Sequence, residues 1–398
     1  MISNTQREER QRLRLARMAV DIFFFLNGVA SATFSARLPA MQMKLALPPG
    51  QLGLALLGCT GGGLLAMNIA SRVSSRYGSR AITIIAALST CITLLLVALA
   101  PTLLLFLLAL VLFGAASGAM DVAMNLQGAA IEREYGRSIM NSFHAYFSVG
   151  SLAGALLGSM LAALDVKPEP HFFAITVVGC VVFVWSSRFL FSSKEEGIVQ
   201  KQPAKIALSF QISPTLLLLG VIAFCSLLSV GAMFDWSAVY LSGTLHTGAG
   251  LAAAGFTVFL ACMAAGRSAG DALTMRFGAT ILMRIACSLA ALGLALALMW
   301  TWTPAVLFGL GLVGIGLSVP LPLVSSAAGR LATREGSSAL ATVTTWGYFG
   351  LMAGPSMIGS IADRVGVRLA LAPVVVLCVL AALCAPAASA TALKKDKG

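Results

Sequence analysis

The chain has 398 residues, of which 58% are hydrophobic and only 11% are charged, and its mean hydropathy is +0.91. Soluble domains are usually about a quarter charged, so this composition excludes a soluble globular protein. The net charge of +12 sits in short basic clusters between apolar runs, which excludes a nucleic-acid-binding domain and favours contact with anionic lipid headgroups.

Twelve apolar segments reach the length of about 20 residues that a helix needs to span a bilayer. In chain order they cover 18–40, 50–70, 81–100, 102–130, 139–164, 171–191, 214–242, 249–273, 280–300, 303–328, 337–361 and 368–390. The predicted fold class is an all-α membrane protein with twelve transmembrane helices in two pseudo-symmetric six-helix bundles. The predicted boundaries are a basic N-terminal segment at 1–17, bundles at 18–191 and 214–390, a surface linker at 192–213 and a tail at 391–398.

The placement of lysine and arginine predicts the orientation of the segments. With the N-terminus inside, all but five of the 27 basic residues fall on the inner side. The outer five are Arg37, Lys44, Lys167, Arg364 and Arg368. We therefore expect both termini to be cytoplasmic, in a bacterial inner membrane, and the N-terminus to carry no cleavable signal.

A constant offset of 200 residues relates the two halves of the chain. Arg76-Tyr77-Gly78 falls on Arg276-Phe277-Gly278, and Gly150 falls on Gly350. The glycine ladders that begin at Gly150 and Gly350 are expected to be close-packing surfaces. Duplicated six-helix halves with a substrate site between them are typical of secondary carriers.

The twelve segments, the central linker and the RYG and RFG turns after segments two and eight resemble the major facilitator superfamily. The loop signature of that superfamily is G-x-x-x-D-R-x-G-x-R, and the first copy here has Ser75 where the aspartate is expected. The second copy has Met275 at that place. The resemblance implies a gate at these turns, with Asp271 or the acidic turn at 132–134 replacing the missing aspartate. The expected gating residues are Arg76, Gly78, Arg80, Arg267 and Asp271.

Within the superfamily, MDVAMN in segment four resembles the fucose-permease branch, in which an acidic residue at the position of Asp121 carries a proton. The longer run FGAASGAMDVAMNLQGAAIERE is similar to the YbjJ-type bacterial inner-membrane proteins. This resemblance implies a transporter of this branch, with Asp121 as the proton carrier.

Asp121 is also singled out by its own physical chemistry. An ionisable side chain in a membrane-length apolar segment is expensive and is usually functional. Helical spacing places Asn125 and Glu132 on the same face, so a structural hydrogen bond through Asn125 is the alternative interpretation. His144 in segment five can titrate near cellular pH, or it can be structural. The expected proton-coupling residues are Asp121, His144 and Glu132.

Candidate solute contacts occur in both halves. Asp235 beside an exposed Trp236 indole suits a polar, hydroxyl-bearing solute, although an interfacial aspartate is equally plausible. Trp346 lies well inside segment eleven, away from the interfacial aromatic belts. The full set of expected substrate-binding residues is Asn27, Ser31, Asn125, Asp235, Trp236 and Trp346, of which Asn27 and Ser31 can alternatively join helices.

Four local features carry structural predictions. Asp21 is expected to pair with Arg17, and the run SVPLP at 318–322 is expected to kink segment ten. The turn at 359–368 is expected to end a helix. Arg37 and Lys44 at the outer mouth can attract an anionic solute, but an ordinary solvated loop is the favoured interpretation.

The leading functional hypothesis is a proton-coupled symporter for a sugar, polyol or related small metabolite. The first alternative is a drug/proton antiporter, although segment five has Gly154-Ala155 where such exporters carry Gly-Pro. The second alternative is a non-transporting membrane sensor, for which the linker and tails are too short to form an output domain. No motif of an enzyme or metal site appears in a plausible context, and the eight cysteines are interpreted as packing residues. We expect no cofactor, with protons, lipid and a small solute as partners, and a functional monomer.

Overall fold

A computed structural model describes residues 4–136, 139–196, 213–335 and 338–388. Within those ranges all regular structure is helical, with no β-strand, so the predicted all-α fold class is confirmed. The chain forms two compact units, of which the first comprises Met1–Leu47 with Ala55–Ala204 and the second comprises Pro48–Leu54 with Lys205–Gly398. Arg137, most of the predicted linker (197–212) and the predicted tail (391–398) lie outside the described residues.

The described residues of the first unit form six long helices. They are α1 (Asn4–Lys44), α2 (Pro49–Tyr77), α3 (Ser79–Leu99), α4 (Leu103–Tyr135), α5 (Met140–Ala163) and α6 (Pro168–Ser187), with the first residues of α2 grouped with the second unit. Helix α1 is helical from Asn4, so the predicted basic N-terminal segment continues directly into the first span.

The described residues of the second unit form seven helices and a short 3₁₀ turn. They are α7 (Pro214–Thr244), α8 (Ala249–Phe277), α9 (Ala279–Met299), α10 (Thr303–Leu317), α11 (Pro320–Glu335), α12 (Ser338–Ala370) and α13 (Ala372–Cys384), followed by Ala385–Ala388. Helices α2 and α8 are both 29 residues long, and α3 and α9 are both 21 residues long. This match of lengths accompanies the offset of 200 residues in the sequence.

Side chains and prolines at the helix starts explain where several elements begin. Thr102 accepts a hydrogen bond from the N–H of Leu105 at 3.4 Å, and Ser213 accepts one from Leu216 at 3.3 Å. Each capping hydroxyl satisfies a backbone donor that the first helical turn leaves free. Proline stands at the start of α6 and α7, where its missing N–H costs nothing.

Three glycines turn the chain with nearly the same backbone angles. Gly78 has φ 90° and ψ 158°, Gly278 has φ 78° and ψ 157°, and Gly366 has φ 81° and ψ 159°. This region of backbone space is essentially restricted to glycine. Gly366 therefore interrupts α12, and the predicted helix-ending turn at 359–368 is confirmed.

All twelve predicted segments are helical within the described residues. Among the described residues, ten helical stretches are long and apolar enough to cross a membrane, and a bent pair makes an eleventh if it is one span. The pair bends by 70° and contains the eleventh and twelfth predicted segments, which Gly366 separates. The predicted kink in segment ten is confirmed, since α10 ends before Ser318 and α11 begins at Pro320.

Phenylalanines and glycines together pack the first unit. The rings of Phe23 and Phe183 lie 4.7 Å apart, and those of Phe24 and Phe143 lie 5.6 Å apart. A Cβ added at Gly150 would overlap the carbonyl oxygen of Phe25, so α5 and α1 pack backbone against backbone there. The predicted packing role of the first glycine ladder is confirmed.

The second ladder makes the same kind of contact in the second unit. A Cβ added at Gly350 of α12 would overlap the carbonyl oxygen of Phe224 in α7. Gly354 is looser, with its nearest neighbours, in Leu228, at 3.6 Å. The repeated sequence thus produces a repeated helix contact inside each unit.

Candidate functional site

Asp121 lies in the middle of α4 and forms a pair with Asn125. The Asn125 Nδ2 atom donates to the backbone oxygen of Asp121 at 2.8 Å and to its carboxylate Oδ1 at 3.3 Å. Both side chains are half-buried, whereas the neighbouring Met120 and Met124 are buried in the core of the unit. This bond stays within α4, whereas the alternative interpretation was a structural hydrogen bond to a neighbouring helix.

The backbone beside this pair is closely packed. Gly118 lies three residues before Asp121, and a Cβ placed on it would come within 2.5 Å of the carbonyl oxygen of Gly63 in α2. Helices α2 and α4 therefore cross at a pair of glycines next to the acid. Close backbone packing holds Asp121 on a rigid element, which favours a defined position for its carboxylate.

Glu132 has a structural task in this unit. Its Oε2 atom accepts hydrogen bonds from the N–H groups of Ile139 and Met140, at 2.7 and 2.6 Å, where α5 begins. It lies eleven residues beyond Asp121, or roughly 16 Å along the helix. These contacts favour a cap for the positive end of α5 over the expected role in proton coupling.

His144 lies on an exposed part of α5, where its ring packs edge-on against Phe24 with centroids 5.2 Å apart. Its backbone oxygen accepts a hydrogen bond from Ser148. A role of His144 in gating or in relaying protons stays a prediction.

Asn27 and Ser31 lie one helical turn apart on α1. Asn27 is only 4% exposed, and its Oδ1 atom has no hydrogen-bond donor within the described residues. The adjacent Gly28 packs against the backbone of Phe147 and Ser151 in α5. Asn27 is thus buried at a helix contact, while Ser31 is half-buried.

In the second unit, Asp235 and Trp236 differ from the expected arrangement. The expectation of an exposed indole is wrong, because Trp236 is 0% exposed and belongs to the core face of α7. Asp235 is half-buried, and among the described residues nothing forms a hydrogen bond or ion pair with it. The preceding Phe234 packs against Phe256 and Phe259, at 5.1 and 6.1 Å.

Trp346 keeps the exposed surface that Trp236 lacks. It is 37% exposed on α12, and its indole lies over Gly220 of α7. A Cβ at Gly220 would come within 2.9 Å of the Trp346 Cδ1 atom. The missing side chain at Gly220 therefore makes room for one edge of the ring and leaves the rest of it open.

The expected gating residues surround the glycine turns. The guanidinium of Arg76 lies 5.3 Å from the ring centre of Tyr77, and the repeated pair of Arg276 and Phe277 shows 5.4 Å. Arg80 is half-buried, and Arg267 is exposed. The side chain of Asp271 lies outside the described residues.

Sequence reasoning missed the acid that lies beside the Gly78 turn, which is Glu196. Both of its carboxylate oxygens accept the N–H of Ser79, at 3.1 and 2.9 Å, and Oε1 also accepts Gln127 Nε2 at 2.9 Å. Glu196, at the start of the linker, is thus the acid that the described residues place at this turn. Replacement of the missing aspartate by Asp271 or by residues 132–134 stays a prediction. The pair of acids at 195–196 was the only available sequence signal.

Gln127 and Arg12 complete this attachment of the linker. Gln127 is 0% exposed and bonds to Ser79 Oγ and to both backbone atoms of Phe191, each at 3.0 Å. Arg12 donates to the oxygen of Leu190 at 3.0 Å and lies 3.2 Å from Glu195. Residues 190–196 are thus fastened to α1, α3 and α4 of the first unit.

Comparison with known proteins gives a consistent family. A model of the Major Facilitator Superfamily matches residues 20–355. The chain is 31% identical over 373 residues to an uncharacterised MFS-type transporter of Yersinia pestis, covering 94% of both chains. It is 32% identical to the membrane protein MosC of Rhizobium meliloti, covering 90% of this chain and 86% of that one.

Solved transporters share the fold at low identity. The nucleoside transporter NupG matches with a TM-score of 0.71 at 13% identity, covering 94% of this chain and 98% of that one. The xylose transporter XylE from E. coli matches with a TM-score of 0.66 at 16% identity, covering 93% and 98%. At such identities the likeness extends to the fold alone, which agrees with the predicted twelve-helix architecture.

Proposed function

Because the chain belongs to the Major Facilitator Superfamily and is a multi-pass membrane transporter of that type, we propose that it couples the uptake of a small polar solute to protons. Asp121 is the proton carrier in this proposal. The motif MDVAMN supports a place in the fucose-permease-like and YbjJ-type branch.

The partners of the acidic residues in the membrane spans carry the proposal. Asp21 lies 3.9 Å from Arg17, as expected, and Glu169 lies 2.8 Å from Lys44. Asp121 has no basic partner within the described residues, and neither has Asp235, so the MDVAMN motif decides between these two acids. A carboxylate without a cation is costly in a membrane, and binding a proton removes its charge. A half-buried, unpaired acid is therefore suited to take up and release a proton.

Asn125 offers a physical link between the proton and the solute. Its amide donates to an Asp121 carboxylate oxygen at 3.3 Å. An ionised carboxylate accepts this bond more strongly than a protonated one does. Protonation of Asp121 thus frees the amide of Asn125 to bind a hydroxyl group of the solute, so that proton loading favours solute binding.

The remaining solute contacts are assigned to side chains with accessible surface. Trp346 presents an open ring face, on which the C–H face of a sugar or polyol can stack. Asp235 and Ser31 supply acceptors for hydroxyl groups. Trp236 is left out of this set, because its ring is wholly buried.

The experiment is solute binding and uptake with Asp121→Asn and a matched control. Purified protein is screened by thermal stability against sugars, polyols, sugar acids, amino acids and cationic drugs, at acidic and at neutral pH. A ligand at about a hundred times its dissociation constant adds roughly 2.7 kcal/mol. Polar metabolites are expected as hits, with stronger binding at acidic pH.

In proteoliposomes, Asp121→Asn is expected to lose proton-driven accumulation of the hit while keeping solute exchange. The control is Asp21→Asn, which changes an intramembrane acid that already has Arg17 as its partner, and it is expected to keep accumulation. Accumulation by Asp121→Asn, or its loss in Asp235→Asn alone, contradicts the assignment of the proton to Asp121. Hits confined to lipophilic cations, with binding that strengthens as pH rises, favour drug/proton antiport.

A further inference from the structure

The outer end of the first unit contains a buried arginine where a solvated one was expected. Arg37 on α1 is only 4% exposed, so the expectation that it lies in a solvated loop is wrong. Its Nη2 atom donates to the backbone oxygen of Val166, in the turn between α5 and α6. Its Nε and Nη1 atoms are buried and have no acceptor within the described residues.

A buried histidine lies in the same region. His171, in the first turn of α6, is 2% exposed, and neither ring nitrogen has a hydrogen-bond partner in the described part of the chain. It follows Val166, whose backbone oxygen Arg37 contacts, by five residues. Gly158 of α5 lies between these helices, since a Cβ there would come within 2.8 Å of Ala36 and 3.9 Å of the His171 ring.

The acidic residues nearby do not neutralise this arginine. Glu169 is within electrostatic range of Arg37, but its carboxylate lies 2.8 Å from Lys44. Lys44 also donates to the oxygen of Ala98 at 2.6 Å, which fixes the Lys44–Glu169 pair in place. The local set of Arg37, Lys44 and Lys167 against Asp165 and Glu169 leaves one positive charge in excess.

A guanidinium stays charged at every cellular pH, so deprotonation offers it no relief. Burial of a charge is tolerated when the charge is paired and hydrogen-bonded, and unmade bonds at buried donors are costly. The site offers two unsatisfied arginine donors, a histidine that can donate one more hydrogen bond, and one unpaired positive charge. All of these features suit the same kind of ligand. That ligand accepts several hydrogen bonds and carries one negative charge.

We propose that Arg37 and His171 bind a small inorganic monovalent anion of the chloride class at the outer end of the first unit. The anion accepts hydrogen bonds from Nε and Nη1 of Arg37 and from one N–H of His171. It neutralises the excess charge and joins α1 to the start of α6. This site is independent of Asp121 and of proton coupling.

The test measures thermal unfolding of the purified full-length protein while chloride replaces gluconate at constant ionic strength. Gluconate is a much larger anion than chloride and serves as the reference anion. Chloride is expected to stabilise the protein saturably, with about a 100-fold rise in the folding equilibrium constant at a hundred times its dissociation constant. Bromide and nitrate are expected to substitute for chloride.

The variant Arg37→Met removes the charge and keeps an apolar stem, and it is expected to abolish the chloride effect. Arg368→Met is the matched control, because Arg368 is an outer-side arginine whose nitrogens already donate to the backbone oxygens of Leu298 and Met299, at 2.5 and 2.8 Å. It is expected to keep the chloride effect. If Arg37→Met does not fold, His171→Phe serves instead and is expected to weaken chloride binding several-fold.

Wild-type stability that does not change with chloride overturns the proposal, and the buried donors then bind water. An equal chloride effect in wild type and Arg37→Met also overturns it, because the ion is then an adventitious one at another surface. The wild-type titration decides the first point without any variant.

Discussion

The attachment of the linker at Glu196 allows a quantitative prediction. Glu196→Ala removes the acceptor that the described residues offer to the N–H of Ser79 at the start of α3, and one of three acceptors for Gln127 Nε2. A hydrogen bond to a charged group contributes about 1.5–3 kcal/mol, and a carboxylate at a helix N-terminus adds about 0.3–1 kcal/mol. Because water can partly replace the lost acceptor, we expect a loss of about 2–4 kcal/mol in the free energy of unfolding.

The assay is thermal unfolding of the purified protein, where about 2–4 kcal/mol corresponds to a decrease in Tm on the order of 4–16 °C. Glu195→Ala is the matched control, since the adjacent carboxylate is more than a third exposed and its ion pair with Arg12 is a surface contact. Exposed ion pairs contribute about 0–1 kcal/mol, so the control is expected to change Tm little. Equal effects of the two variants refute the view that the buried network at Gln127 holds the linker.

Two further predictions concern packing and pH. Gly150→Ala is expected to lower the free energy of unfolding by about 1–3 kcal/mol, because its Cβ would overlap a carbonyl oxygen of α1. Gly61→Ala is the control and is expected to be neutral or stabilising, because open space surrounds the added Cβ. Equal Tm values for the two variants contradict the backbone contact. Burial raises the pKa of Glu195, but hydrogen bonds from Ser192 and the charge of Arg12 outweigh it and hold the pKa below its ordinary value. Its stabilising contribution is therefore present above the unfolded-state pKa of about 4.3 and is lost as pH falls through the lower folded-state value. Unfolding measured from neutral to acidic pH is expected to show a smaller acid-induced loss in Glu195→Gln than in wild type, and identical profiles contradict this.

The sequence was sufficient to predict the helical segments and several of the turns between them. Apolar length alone located the twelve segments, and the repeated RYG and RFG turns located Gly78 and Gly278, because their backbone angles admit essentially no other residue. The kink before Pro320 followed from the missing N–H of proline. These features are determined by residues that are close together in the sequence, so the sequence alone is enough to predict them.

Contacts between distant residues could not be predicted in the same way. In a membrane protein both the lipid-facing and the core-facing surfaces of a helix are apolar, so the pattern around Trp236 did not indicate that its ring is buried. Glu196 meets Ser79 across 117 residues of chain, with no periodic pattern to connect them. Arg37 appeared to be a mouth residue, because sequence position gives depth along a helix and does not give the direction in which the side chain points.

The matching backbone angles at Gly78, Gly278 and Gly366 have a consequence for how the chain can be altered. The hairpin of α2 and α3 and the hairpin of α8 and α9 have arms of the same lengths and reverse direction through nearly identical backbone angles. In each helical hairpin the glycine turn fixes the direction of the second helix, so the surface residues can change without altering the backbone. After gene duplication, the side chains of the two hairpins could therefore diverge while their backbone structure stayed the same. A chimera in which the α2–α3 and α8–α9 hairpins are exchanged tests how far the properties of each hairpin depend on its side chains alone.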